Sequence, residues 1–491
     1  MNRTKIAQLG RLVSAFVICF HVLNTAIVTG EEKPNIVIIL VDDMGYGDAA
    51  CYNPNSKIAM PQIESLAKDG MRFTDAHAPG PLCHLSRYGL MTGRYPFRAN
   101  VQAWRRRPSI AADRMTIASL LRDQGYNTAM VGKWHLGFDE SKGYEHPLPG
   151  GPADRGFNSY FGIRASTDIP PYFYIRGDLA VEPPTDSIEA NYSDGWTRIQ
   201  GAFWRAGGIA RNLKLEDVLP QFTDEAVSVI DSHAKAQKTS NSRQPLMLYL
   251  AYPAPHTPWL PSAEFVGTSK ASMYGDFAAM VDAMIGKVLK SLNDNGMSDN
   301  TLVIFSSDNG PVWYENDTER FDHDSSGGLR GMKADAWECG HRMPFLVRWP
   351  GKVKPGSVSD QTICFTDFLA TFASIVGVQL PDEAGPDSFD FLPVLLGKQQ
   401  ADKPIRDSLV IESGGGLKTI RMGDWKLIDG LGSGGFTKPS RIEPKPGDPQ
   451  GQLYNLKEDL AETTNLFDQK PEIVRRLQSK LKEIVDTGRS R

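Results

Sequence analysis

The stretch that most constrains this chain is "NIVIILV", Asn35 to Val41, because Asp42 and Asp43 follow it at once. A short, unbroken, β-branched apolar run fits a strand buried on both faces. Such strands belong to sheets covered by helices, where sites form at the carboxyl ends of the strands. The arrangement recurs: "TLVIFSS" runs straight into Asp308 and Asn309. One acid pair alone is an ordinary turn start. Two pairs from separate strands point to a shared cation, because clustered unpaired acids are costly. Carboxylates and an amide with no soft ligand suit Ca2+ first and Mg2+ second.

The rest of the chain agrees with an α/β fold. "QIESLAKD" and "MTIASLLRDQG" read as helices closed by Gly70 and Gly125, with Pro61 near the start of the first. Strands are expected at "YNTAMVG", "PLMLYLAY" and "MPFLVRWP", with helices near 217–236 and 272–294. This alternation predicts a large, mostly parallel sheet sandwiched by helices. Residues 139–215, rich in Gly, Pro, Arg and aromatics, read as long loops over the active face. After about residue 405, "DSLVIES", "KTIRMGDWKLI", "QLYNL" and "PEIVRRLQSKLKEIV" read as a small C-terminal α+β subdomain. "GLGSGGFTKPSRIEPKPGDPQGQ" is expected to be a flexible insertion in it. The expected divisions are 1–30, 31–404 and 405–491.

Residues 1–30 read as a secretory signal peptide. Arg3, Lys5 and Arg11 precede the apolar "LVSAFVICFHVLNTAIV", and small residues follow. The mature protein is expected to be periplasmic or extracellular, with no stable membrane insertion. A net charge of -4 gives no basic field for nucleic acid. Five cysteines, with no C-x-x-C pair, exclude a zinc ribbon or a dense disulfide framework.

Cationic and titratable residues stand at strand ends too. Lys133 and His135 follow "YNTAMV", His256 follows "PLMLYLAY", and Lys333 lies past a Gly-rich turn. Singly, each is an ordinary structural or solvated side chain. Together, acids for a metal and cations for an oxyanion are the equipment for hydrolysing a phosphate or sulfate ester.

In this order, "NIVIILVDDMGYGD", "PLCHLSRYGLMTGRYP", "VGKWHLG", "DRGFNSYFG", "PHTPW", "FSSDNG", "LRGMKADAWECGHRMP" and "GDWKLI" resemble the type I sulfatases of the alkaline phosphatase superfamily. The likeness runs from about Pro34 to about Leu466. It implies that a formylglycine-generating enzyme oxidises Cys83 to formylglycine, whose hydrate attacks sulfur. It implies that Asp42, Asp43, Asp308 and Asn309 hold Ca2+. Arg87 and Lys133 would stabilise the hydrate and the sulfate, and His135 would take the proton in elimination. His256 and Lys333 would bind sulfate, one of them protonating the leaving oxygen, and Ser166 would match a further family serine.

The family signal is Cys-x-Pro-x-Arg, or Ala for Pro, and here Leu85 occupies that position. Three outcomes stay open. Cys83 is converted by a tolerant reader, or stays a thiol in a sulfated-glycan-binding protein, or acts as a thiol on another ester. The completeness of the remaining site favours conversion. A phosphomonoester or phosphonate ester hydrolase of the same superfamily is the other enzymatic reading. A sulfated carbohydrate is the expected substrate. Arg105 in "WRRRPS", and Arg164 and Trp204 in the 139–215 segment, are the expected substrate contacts, since rings stack on aromatics and guanidinium forks hold anionic groups.

Overall fold

The run that opens the folded chain is β1, Asn35–Asp42, and all eight of its residues are buried. In the computed structural model, which describes residues 32–240, 243–400 and 402–491, it lies at the middle of an 11-stranded sheet. The expected signal peptide lies outside the described residues. After β1 come α1 (Pro61–Asp69), β2 (Met71–His77), α2 (Cys83–Thr92), α3 (Ile117–Asp123), β3 (Asn127–Lys133) and β4 (Ser159–Ile163). Then come α4 (Val218–Ser240), β5 (Leu246–Pro255), α5 (Ser272–Asp294), β6 (Thr301–Ser307), β7 (Arg342–Arg348) and α6 (Phe368–Val376).

β1 is flanked by parallel β6 and β5, and β5 continues in parallel to β3 and β4. The carboxyl ends of β6, β1, β5 and β3 therefore stand side by side. The sheet is mostly parallel but mixed: β7 runs antiparallel between β6 and β2. One face is covered by α1, α4 and α5, the other by α2, α3 and α6.

Two sequence expectations fail in the main sheet. β2, "MRFTDAH", carries no apolar run and was not anticipated as a strand; it forms because β7 and the short strand Ser357–Ser359 pair on both its sides. Residues 139–215 are not all loop. β4 joins the main sheet, and Ile175–Arg176 and Leu179–Ala180 extend it.

A second sheet is antiparallel, in the order β8 (Leu409–Glu412), β9 (Lys418–Met422), β10 (Trp425–Ile428) and β11 (Gln452–Asn455). The helix α7, Pro471–Thr487, lays Val474, Leu477, Leu481 and Ile484 against it. That three- and four-residue spacing is one helix face. Each such side chain contributes about 1.5–3 kcal/mol when fully buried. This sheet and the main one belong to one compact unit, Pro34–Arg491. Between them, Lys426 is buried with Glu338 at 3.0 Å and Glu462 at 2.8 Å. Expected to be flexible, the Gly-rich segment after β10 is instead packed: Ser433 accepts from Ala336 N at 2.7 Å, and Thr437 N donates to Asp335 at 3.1 Å. Among the described residues no helix is long and apolar enough to cross a membrane.

Candidate active site

Four neighbouring strand ends deliver the groups that the sequence singled out. Asp42 ends β1, and Asp43 turns away from it at φ 65°. Asp308 and Asn309 follow β6, Lys133 ends β3, and His256 follows β5. Opposite them α2 begins at Cys83, whose preceding residue, Leu82, is extended and gives no side-chain cap. The first amides of α2 thus lack intrahelical acceptors and suit an anion. Gly93, at φ 64°, closes the helix with its amide on Gly89 O.

The polar groups interlock. The Cys83 thiol lies 3.3 Å from Asp42 Oδ1, and Lys333 Nζ lies 3.4 Å from Cys83 Sγ. Lys333 also donates to both oxygens of Asp43, at 2.6 and 2.8 Å. Lys133 donates to Asp42. Arg87 sends Nε and Nη2 to Asp308 at 2.9 and 2.8 Å, and Nη1 to Lys133 O at 2.7 Å. His256 Nε2 stands 3.6 Å from Asp43, with Nδ1 on Thr257 O at 2.7 Å.

Burial sets the electrostatics. It would raise the Asp42 carboxyl, but Lys133, His256, Arg87 and Lys333 hold it well below the usual range. Asp308 is raised to about 6 by burial and by the charge of Asp42. Burial, then Asp308 and Asp42, push the Cys83 thiol up. An unmodified thiol here stays protonated and is a poor nucleophile. Burial and Lys133 hold His135 well below an ordinary imidazole, so it is neutral and able to accept a proton.

The set fits a hard cation. Asn309 Oδ1 is buried without a hydrogen-bond partner, while its Nδ2 donates to Asp43 at 2.6 Å. Donor atoms of Asp42, Asp43, Cys83 and His256 lie within 4.8 Å of one another, and Asp308 Oδ1 accepts from Asp43 N at 3.4 Å. Asp42, Asp43 and Asp308 are balanced by Arg87, Lys133 and Lys333. A divalent cation would leave the site positive, ready for an anionic ester.

These groups open into a cavity of about 290 Å3, lined by Asp43, Cys83, His135, Ser166, His256, Lys333 and Arg105 among others. Ser166 Oγ and both His135 nitrogens are buried there without partners. Arg164 and Trp204 are the corrections. Arg164 is buried on Glu140 at 2.7 Å, and Trp204 donates Nε1 to Glu189 O at 2.9 Å; neither lines the cavity. Of the arginines in the 139–215 segment only Arg205 lines it, paired there with Asp168, while Arg176 is held on Glu225. Sequence reasoning missed His84, Gln102, Asp168 and Phe436, which also line the cavity. The place of His84 beside Cys83 was a usable signal; Phe436 gave none.

Arg87→Ala is expected to cost about 3 kcal/mol or more of stability, because it leaves the Asp308 carboxylate buried without its main partner. Denaturant unfolding measures this, and an unchanged midpoint would contradict it.

A sequence-family model described as sulfatase matches residues 34–378. The chain is 34% identical to an N-acetylgalactosamine-6-O-sulfatase of Bacteroides thetaiotaomicron, over 93% of this chain and 94% of that protein. It is 31% identical to human arylsulfatase A, over 89% of this chain and 84% of the relative. A solved structure from work on the metabolism of multiple glycosaminoglycans by Bacteroides thetaiotaomicron superposes with a TM-score of 0.80 at 32% identity, covering 92% of this chain and 99% of the other.

Proposed function

The chain belongs to the sulfatase family, and from that premise we propose that it is an exported carbohydrate sulfatase that works through a modified Cys83. As a member of that family it is a sulfuric ester hydrolase. The observation that carries the reading is the place of Cys83: first residue of α2, at the cavity wall, between Asp42 and Lys333.

Converted to formylglycine, this residue supplies an aldehyde hydrate with one hydroxyl to attack sulfur and a second to expel sulfate. Cys83 is only 3% exposed in the fold, so conversion by a formylglycine-generating enzyme belongs before folding. Lys333 and His256 hold the sulfate oxygens. His256 presents Nε2 to the cavity and passes a proton to the leaving alcohol. His135, neutral and unpartnered, accepts the proton released when sulfate departs. Arg87 and Lys133 fix Asp308 and Asp42 from below. Asp42, Asp43, Asp308 and Asn309 would hold Ca2+, which would offset charge on the sulfate oxygens.

Calcium is expected to raise the melting temperature. A ligand at a hundred times its Kd adds about 2.7 kcal/mol to stability. Chelator should reverse the rise, Mg2+ should give less of it, and Asn309→Ala should blunt it. A melting curve indifferent to calcium and chelator would sink the assignment.

A sulfated saccharide, such as a glycosaminoglycan or algal polysaccharide fragment, is the proposed substrate. Trp104 and Arg105 at the cavity wall support it, as do the saccharide substrates for which relatives are named. The apolar segment 12–28 supports export to the periplasm or beyond. Ion chromatography of sulfate released from sulfated saccharides, aryl sulfates and matched phosphate esters tests the reading. Turnover confined to aryl sulfates, or phosphate release exceeding sulfate release, would overturn it.

A further inference from the structure

A second cavity, of about 320 Å3, adjoins the catalytic one and shares Leu82 and Phe436 with it. The turn after Lys333 divides the two. Lys333 lines the catalytic cavity, and Ala334, at φ 74°, lines the second. The far wall comes from the C-terminal sheet region, through Gly414, Gly415 and Gly435. These glycines are there because the backbones meet. A Cβ on Gly435 would come within 2.3 Å of the Ala334 carbonyl carbon, and one on Gly414 within 2.9 Å of the Ala334 Cβ. Glycine at these positions lets the two backbones approach, and the side chains of Leu82, Leu417, Phe436 and Arg441 line the concavity beside them. At its edge Arg441 is exposed, and among the described residues it makes no hydrogen bond or ion pair.

We propose that this cavity is a subsite for the saccharide residue next to the sulfated one, and that Arg441 recognises an anionic group on that neighbour. The placement rests on the carbohydrate reading of the catalytic cavity. The two cavities adjoin along Leu82 and Phe436, so a substrate seated on Cys83 would reach the second one past those two side chains. Phe436, half-buried on the shared wall, offers a face to the C–H side of a sugar ring. A free guanidinium matches a carboxylate or a sulfate ester in the same forked geometry. The class of occupant is therefore a uronate or a second sulfated sugar, and the enzyme acts on chains of at least two residues.

The test is calorimetric binding to Cys83→Ala protein, which turns nothing over, with and without Arg441→Ala. Four ligands are used: a sulfated monosaccharide, and disaccharides whose neighbouring residue carries a carboxylate, a sulfate or no charge. Arg441→Ala should weaken binding of an anionic disaccharide about tenfold, the worth of one charge-assisted contact. The monosaccharide and the neutral disaccharide should bind unchanged, and Arg441→Lys should keep part of the affinity. The arm that responds tells uronate from sulfate. Anionic disaccharides bound equally with and without Arg441, or a loss common to all four ligands, overturn the subsite alone. No affinity for any sulfated saccharide in either protein overturns the carbohydrate reading, and the subsite with it.

Discussion

Replacing Cys83 by alanine is expected to abolish sulfate release, with a fall in kcat of roughly ten-thousand-fold or more, as for other removed nucleophiles. The fold should survive. The side chain is small, sits at the first position of α2, and among the described residues has its hydrogen-bond contacts with Asp42 and Lys333. The companion measurement is the mass of the peptide that spans residue 83 in active wild-type protein. Conversion replaces a sulfur and two hydrogens by one oxygen. Active protein that carries only intact cysteine would refute the mechanism, since the buried thiol is held protonated beside two carboxylates. Leu85 gives this measurement its point. In the folded protein it is a core residue packed over Gly80, where a Cβ would come within 2.7 Å of Leu85 Cβ. Its side chain is thus buried in the fold, while under the proposed mechanism a modifying enzyme would meet it in the unfolded chain.

How much of this was legible in the sequence follows from which forces act locally. β1 and β6 were visible because a strand buried on both faces must be apolar throughout, and the acids at their ends were visible with them. The order of the motifs then carried the family resemblance, which implied the candidate catalytic residues. β2 was not legible, because its alternation of buried and half-buried residues makes sense only once β7 lies beside it. Arg164 and Trp204 had the right chemistry for a sugar, but Glu140 and the Glu189 carbonyl claim them. Which arginine stays free is decided by tertiary pairing, and no local pattern carries it. Arg441 shows the converse: it lies in a segment with no periodicity, and backbone contacts, Gly434 N on Ser440 O and Ile442 N on Leu431 O, bring it to the edge of the second cavity.

Lys333→Ala should produce the second large loss, on the order of a hundred- to a thousandfold in kcat, as when a fixed charge aimed at a reacting oxyanion is removed. Two causes would contribute, and calcium separates them. Lys333 is a buried partner of Asp43, at 2.6 and 2.8 Å. Its removal leaves that carboxylate with Asn309 and His256, so part of the loss is structural. A divalent cation bound by Asp43 restores the missing positive charge, so saturating calcium should recover most of the stability. It should not recover kcat, because the ammonium group also stands 3.4 Å from Cys83 Sγ, where the proposed mechanism puts the reacting sulfate. Lys333→Arg keeps the charge but brings a longer, forked head into a fully buried slot, and should rescue poorly. Thermal melts and steady-state kinetics on the calcium-saturated variant settle the matter. A kcat restored to the wild-type value together with the melting temperature would make Lys333 a prop for Asp43 and remove it from the chemistry.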